Sequence, residues 1–314
     1  MRPSRASSRT PKHYTPSPPA ERRKHLRRTF DAHVRRERER LRGDPHRELR
    51  GTLVERFLAL HLAKGRGPIL EIGPGTGRFS RTILAAGRPT ILYDLSRPML
   101  KAARQGLERR GRGAVRPMGY LQAAAEGLRP MRDRSAGTIV LVGLFGFFGR
   151  DVSELLEGAR RVLRPGGILL LEGVSPSGVI GELFPLFPRS ARVLLRAPRE
   201  YHLHRIFEEG WQPHDPEHGA PWEFGFWRPD DLSRRLAQAG FTVNDRMSVG
   251  PLLGNQAALL KRLHRDRVAW ANLLDVEERC GRLPECLGVG ASFLVCARRS
   301  GPPRRKDGRS RARG

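Results

Sequence analysis

Cysteine is scarce in this 314-residue sequence: Cys280, Cys286 and Cys296 are the whole set, and no two stand in a CxxC pair. An odd count without zinc-ligand spacing argues against a disulfide framework and points to reduced thiols in a cytoplasmic setting. Long apolar runs are missing too. The longest, Ile139 to Phe148 (IVLVGLFGFF), is well short of the about 20 residues a membrane span requires. The first twenty residues lack the apolar centre of a secretory signal and are rich in Arg, Ser and Pro, which predicts a disordered tail. Acid is in short supply, with 32 Asp and Glu against 59 Lys and Arg, a net charge of +27. That excess is uneven: residues 1–50 hold +10 and residues 298–314 hold +7, so the long middle carries only +10. The charge therefore sits mostly in two termini whose composition cannot build a core, and a nucleic acid or anionic surface is a candidate partner for them.

What is present is an alternation. After the Pro/Ser/Arg-rich stretch to about Pro19 comes a charged helical stretch, AERRKHLRRTFDAHVRRERERLR, and then ELRGTLVERFLALHLAKG, where Leu53, Phe57, Leu60 and Leu62 recur near helical spacing. From Pro68, short apolar runs alternate with helical ones. PILEI, PTILYD, GTIVLV and ILLLEG read as buried strands. RFSRTILAAG reads as a helix closed by Gly87, SRPMLKAARQGLERRG as one opened by Ser96 with Pro98 in its first turn, and DVSELLEGARRVLRPGG as one ended by Pro-Gly-Gly. The pattern predicts an α/β fold with a doubly wound, mostly parallel sheet. Residues 174–226 break the rhythm, being aromatic, Pro-rich and too long for an ordinary connection. RPDDLSRRLAQAG then predicts a helix, FTVNDRMSV a strand, QAALLKRLHRDRVAWANLLDVEE one amphipathic helix and ASFLVCAR a last strand. In that amphipathic helix, Leu259, Leu263, Trp270 and Leu274 form a stripe read as core packing or lid rather than membrane anchor.

The stretch ILEIGPGTGRFS, Ile69 to Ser80, carries the chemistry. Its glycines stand where a Cβ would block an approach or forbid a positive φ. No Lys-Ser/Thr follows them, as a P-loop requires, and Arg78 occupies the place of the third dinucleotide-fingerprint glycine. Glu71 just before the glycines gives a phosphate nothing but suits an amino-acid cation. Asp94, at the end of the second strand, stands where nucleotide-binding sheets accept ribose hydroxyls. Ribose, an ammonium group and no phosphate together describe S-adenosylmethionine.

ILEIGPGTGRFS, ILYDLSRPMLKAA, YLQAAAEGLRP and ARRVLRPGGILLLEG, in this order and spacing, resemble the class I S-adenosylmethionine-dependent methyltransferases, and among them the small-molecule branch that includes ubiquinone and menaquinone biosynthesis enzymes. The resemblance covers roughly residues 50–298, with FWRPDDLSRRLAQAGF similar to the helix and strand that follow the substrate loop in that branch. It implies a seven-stranded Rossmann-like sheet. It also implies that Gly73, Gly75 and Gly77 wrap the methionine part of S-adenosyl-L-methionine with Glu71 at its polar end, that Asp94 holds the ribose, and that Leu95 and Met99 lie near adenine. Where the family has an Asp-Ala pair, this chain has Ala124 and Ala125, so Glu126 and backbone groups are left to meet the adenine amino group. The domain division expected is a disordered basic tail over 1–25, a methyltransferase domain over 26–298 with a lid over 174–226, and a second basic tail over 299–314.

The ligand crevice of such a sheet lies beyond the strands' carboxyl ends, where Gly143, Leu144 and Phe145 follow the fourth strand. Candidate general bases stand in the insertion: His202 and His204 first, with Tyr201, His214 and His218 beside them. HLH and HDPEH have loose metal-ligand spacing, but no metal is assigned; solvated loop residues are the competing reading. The insertion's many aromatic and aliphatic side chains predict a lid over a small, apolar or lipid-like methyl acceptor, with a ligand-free packed cap as the alternative. A nucleic-acid methyltransferase or binding module using the basic tails is the second reading, although no Asn-Pro-Pro-Tyr-type motif and no strand-end Cys nucleophile supports it.

Overall fold

The computed structural model describes residues 16–40, 43–109, 115–186, 205–214 and 222–301. Three helices lead in: α1 (Pro19–Ala32), α2 (Val34–Arg40) and α3 (Pro45–Leu62). Proline at the first position of α1 and of α3 pre-sets φ without wasting a donor, and the Asp44 carboxylate caps α3 by accepting from the His46 N–H. Residues 19–25, expected within a disordered tail, are thus helical.

The sheet then follows in alternation: β1 (Ile69–Ile72), α4 (Ser80–Leu84), β2 (Thr90–Asp94), α5 (Arg97–Glu108), β3 (Gly119–Gln122), β4 (Ala136–Leu141), α6 (Ser153–Val162) and β5 (Leu163–Val174). Helix α7 (Pro176–Leu186) opens the insertion, which also holds the two-stranded ribbon of β6 (Trp211–Gln212) and β7 (Phe224–Gly225). Helix α8 (Pro229–Gln238), β8 (Phe241–Val249), α9 (Ala257–Leu263), α10 (Arg267–Gly281) and β9 (Ser292–Arg299) complete the chain. The seven strands lie in the order β3-β2-β1-β4-β5-β9-β8. The first five are parallel, and β9 runs antiparallel to both neighbours. The doubly wound, mostly parallel seven-stranded sheet read from the sequence is the observed fold.

Strand alternation builds a core on each face. Leu70 and Ile72 face one layer with Leu155 and Leu156 of α6 and Leu232 and Leu236 of α8. Ile69 faces the other with Leu53, Phe57 and Leu58 of α3 and Leu274 of α10. The single amphipathic helix expected over 256–278 is two helices. Asp266 ends the first and caps the second, its carboxylate accepting from the N–H groups of Val268 and Ala269. The break turns the expected stripe: Leu274 is buried, Leu263 and Trp270 are partly buried against the core, and Leu259 is exposed while Leu260 takes the core position. None of the helices among the described residues is long and apolar enough to cross a membrane.

Candidate active site

Chain order reverses between β1 and β4, since β1 continues outward to β2 and β3 before the chain returns to β4. A crevice at such a switch point opens beyond the carboxyl ends of the strands. Its floor is the loop after β1. Gly73, Gly75 and Gly77 all have positive φ, at 68°, 55° and 84°. A Cβ on Gly73 would stand 2.7 Å from the Leu144 side chain, and one on Gly77 3.3 Å from the Ala103 backbone. The turn therefore demands glycine twice over, in backbone conformation and in space.

Asp94 sits at the carboxyl end of β2 and organises the rim. Its two oxygens accept from the N–H groups of Ser96 at 2.8 Å and Gly75 at 3.3 Å. Burial pushes its carboxyl up to about 6, with Asp31 adding to the rise against those two donors. Glu71 lies inside β1 at 4 % exposure, and its Oε2 has no hydrogen-bond partner among the described residues. Burial pushes this carboxyl up to about 8, the Ser80 hydroxyl opposing the rise and the charge of Asp94 contributing to it. Two acids, Glu71 buried and Asp94 partly buried, thus stand on either side of the glycine loop.

Of the residues singled out from the sequence, Gly73, Asp94, Leu95, Ala125 and Glu126 line one cleft. Glu71, Gly75, Gly77, Met99 and Gly143 lie outside its lining. Met99 is 2 % exposed on the inner face of α5, so it packs the wall from behind. Gly143 has φ of 72° and donates its N–H to the buried Glu172 at 2.9 Å. Glu172 also accepts from the Ser292 hydroxyl at 2.5 Å, so it fastens the loop after β4 to β9. Phe145, read as a crevice residue, is core at 1 % exposure, and Phe147 and Phe148 line the cleft instead.

Sequence reading missed several other cleft residues. Tyr93 donates its hydroxyl to the Ala124 carbonyl and so pins the segment that carries Ala125 and Glu126. Arg23, Leu26 and Phe30 of α1 also line the cleft, and nothing in their local spacing marks them. In the insertion, His202 and His204, with Tyr201 and His218, fall outside the described residues. His214 is described, and its ring packs 4.4 Å from that of His25. Trp211 and Trp227 are buried, while Phe147 meets the rings of Phe30, Phe224 and Trp222 at 5.3, 5.0 and 6.0 Å. Among the described residues no three His, Cys, Asp or Glu side chains converge as a metal site.

A larger concavity opens elsewhere, lined by Arg134, Arg160, Arg161, Arg235 and Arg299. Arg160 and Arg235 stand in the last turns of α6 and α8, where a cation complements the helix dipole. That explains the arginines, and the concavity lies at the amino ends of β4 and β5, away from the glycine loop.

A family model described as a methyltransferase domain matches residues 70–171, from β1 to near the end of β5. That match covers the stretch whose motifs carried the resemblance, β1 through most of β5, as a methyltransferase domain. A demethylmenaquinone methyltransferase of Tropheryma whipplei (strain Twist) is 28% identical over 200 residues, covering 60% of this chain and 73% of the relative. A malonyl-[acyl-carrier protein] O-methyltransferase of Pectobacterium atrosepticum is 34% identical over 146 residues, 46% of this chain and 53% of the relative. Among solved structures, magnesium protoporphyrin IX methyltransferase from Synechocystis PCC 6803 with bound SAH aligns with a TM-score of 0.56 at 14% identity, covering 89% of this chain and 100% of that one. The structure shares its fold with that neighbour.

Proposed function

We propose that this methyltransferase transfers the methyl group to a small, apolar or lipid-like acceptor held against an aromatic wall at the mouth of the cofactor cleft. The observation that carries the reading is the cluster of Phe30, Phe147, Trp222 and Phe224, because Phe30 and Phe147 line the cleft as well. An apolar ring or chain laid on these rings would meet the bound cofactor directly. The printed names of the relatives, which include demethylmenaquinone, fit an acceptor of that kind.

Three features support the cofactor's placement. The buried Glu71 Oε2, without a partner among the described residues, suits an ammonium group. The Asp94 carboxylate at the cleft is an acceptor pair for a vicinal diol, and Gly73 lines the same cleft with bare backbone. When bound, S-adenosylmethionine supplies a sulfonium methyl, which is already electrophilic. The protein's own task is then chiefly to hold the acceptor in line and to keep water out. Asp94 and Glu71 would fix the cofactor's polar groups, with Leu95, Ala125 and Glu126 along the adenine side. Gly75, Gly77 and Gly143 would shape the backbone, and Met99 would back the wall. Residues 174–226 act as the acceptor lid in this reading, within a catalytic domain over 26–298. If the acceptor is a hydroxyl, His202 or His204 takes its proton.

The test is a screen of acceptors with methyl-labelled S-adenosylmethionine and the full chain. Label should pass to an apolar aromatic acceptor such as a quinol. Turnover confined to RNA or to small polar amines would overturn the reading.

A further inference from the structure

The leading helix α1 carries 14 residues, among them five arginines and lysines, and none of them is fully buried. It should wander in solvent, yet it crosses the mouth of the cleft. Arg23, Leu26 and Phe30 stand at i, i+3 and i+7, so one face of the helix presents all three. That face lines the cleft beside Asp94 and Glu126.

Both ends of α1 are tied, and to different things. At the start, the Ser17 N–H donates to Glu223 Oε2 at 3.0 Å and Arg22 pairs with Glu223 Oε1 at 3.4 Å, which fastens the helix to the insertion beside β7. In the middle, Arg23 pairs with Glu126 at 3.4 Å and Phe30 meets Phe147 edge-on. At the end, Asp31 accepts from the Ser96 hydroxyl at 2.6 Å. That same hydroxyl accepts from the Met99 N–H to cap α5, and the Ser96 N–H holds Asp94. Glu223 belongs to the proposed acceptor side and Ser96 to the cofactor side. One helix therefore bridges the two.

We propose that α1 is a strap that closes the cofactor cleft and couples its closure to the acceptor insertion, with Arg23, Leu26 and Phe30 as binding residues for the cofactor. This rests on the reading of the cleft as the cofactor site. Ion pairs, the Ser17 N–H and Ser96 hydroxyl bonds and the ring contacts of Phe30 and His25 hold the strap, and contacts of that type with no buried side chain on the helix let it leave as a unit while the core stays folded. Docked, it seals the cleft against water and retards cofactor release. Because Glu223 holds the far end, loosening the strap at the insertion should loosen the cofactor.

The experiment is release of S-adenosylhomocysteine from the full chain, followed by stopped-flow, with Phe30→Ala, Arg22→Ala and Asp94→Ala. Phe30→Ala should raise the release rate three- to tenfold. Arg22→Ala should raise it similarly although Arg22 does not line the cleft. The unfolding midpoint of ligand-free Phe30→Ala should stay within about 2 °C of the parent, since Phe30 is not a core residue. Hydrogen exchange over residues 19–32 should slow when ligand is added. Unchanged release rates, or a lowered midpoint with unchanged release, would make α1 a mere brace and sink the proposal. If Asp94→Ala abolishes binding while both α1 variants release normally, only the strap is wrong. If Asp94→Ala also binds and releases like the parent, the cleft is not the cofactor site and both readings fall.

Discussion

Cofactor binding at neutral pH should expel a proton from Glu71. The residue sits in a central strand between Leu92 of β2 and Val140 of β4, is 4 % exposed, and keeps one carboxyl oxygen without a partner among the described residues. Burial pushes its carboxyl up to about 8. At pH 7 it is therefore about nine-tenths protonated in the ligand-free enzyme. Ionising it there costs about 1.4 kcal/mol, one pH unit below its midpoint. A hydrogen bond from an ammonium group to a carboxylate contributes about 1.5–3 kcal/mol, so the ammonium wins and the proton leaves. Asp94, pushed up to about 6, is already about nine-tenths ionised at pH 7 and adds about 0.1 of a proton. The sum is close to one proton released per cofactor bound.

Calorimetry measures this directly. Titrating S-adenosylhomocysteine at pH 7 in buffers of different ionisation enthalpy gives the proton count as the slope of observed heat against buffer heat. The slope should correspond to release of about one proton and should fall to about 0.1 in Glu71→Gln, where Asp94 alone contributes. At pH 9 the sign should reverse, because Glu71 is then ionised beforehand while the deprotonated fraction of the ligand's amino group must take a proton up. A flat slope at pH 7, or an unchanged slope in Glu71→Gln, would refute the placement of Glu71 opposite the ammonium.

Asp94→Ala should weaken S-adenosylhomocysteine at least ~100-fold by calorimetry, since it removes two charge-assisted hydrogen bonds of about 1.5–3 kcal/mol each. Glu71→Gln should also change stability with pH. A carboxyl raised from 4.5 in the unfolded chain to about 8 in the fold disfavours folding increasingly as pH rises through that window. The variant's unfolding midpoint should therefore gain on the parent's from pH 5 to 8, and equal pH profiles would contradict the burial argument. On a hydroxyl acceptor, His202→Ala or His204→Ala should lower kcat about 10²–10⁴-fold with cofactor affinity unchanged; full kcat in both removes these histidines as base. A chain trimmed to residues 16–301 keeps the Ser17 and Arg22 ties to Glu223 and should bind cofactor as the full chain does. If the termini hold a polyanion, only the full chain should bind RNA with a steep salt dependence.

The parallel strands were legible because burial on both faces turns them into short apolar runs, and ILEI, TILYD and AGTIVL carry that mark. The glycine loop was legible because three positive φ values leave little choice of residue. Phe145 was misplaced for a local reason. Phe145–Phe148 is a 3₁₀ turn, in which residues three apart eclipse, so Phe145 and Phe148 share the buried side and Phe147 points away. The helix break at Asp266 was written in a capping residue inside a stripe whose helical period runs on past it.

The leading helix is the deeper lesson. A block of arginines reads as a solvated tail when its charge is summed along the chain, and that arithmetic assumes the counter-charges are local. Here they are not: Arg23 finds Glu126, 103 positions away, and Arg22 finds Glu223, 201 away. Glu223 is 5 % exposed, and a polar side chain that deeply buried needs hydrogen-bond donors to satisfy it. Its two donors come from the one segment that composition had set aside. The apolar part of the same face is only Leu26 and Phe30, too narrow a stripe to stand out among the charges around it. A strap that must both dock and release has reason to look like this. A wider apolar stripe would hold it shut, and local counter-ions would leave it in solvent. The feature that hid the docking of α1 from sequence reading is the one that suits it to closing a cleft reversibly.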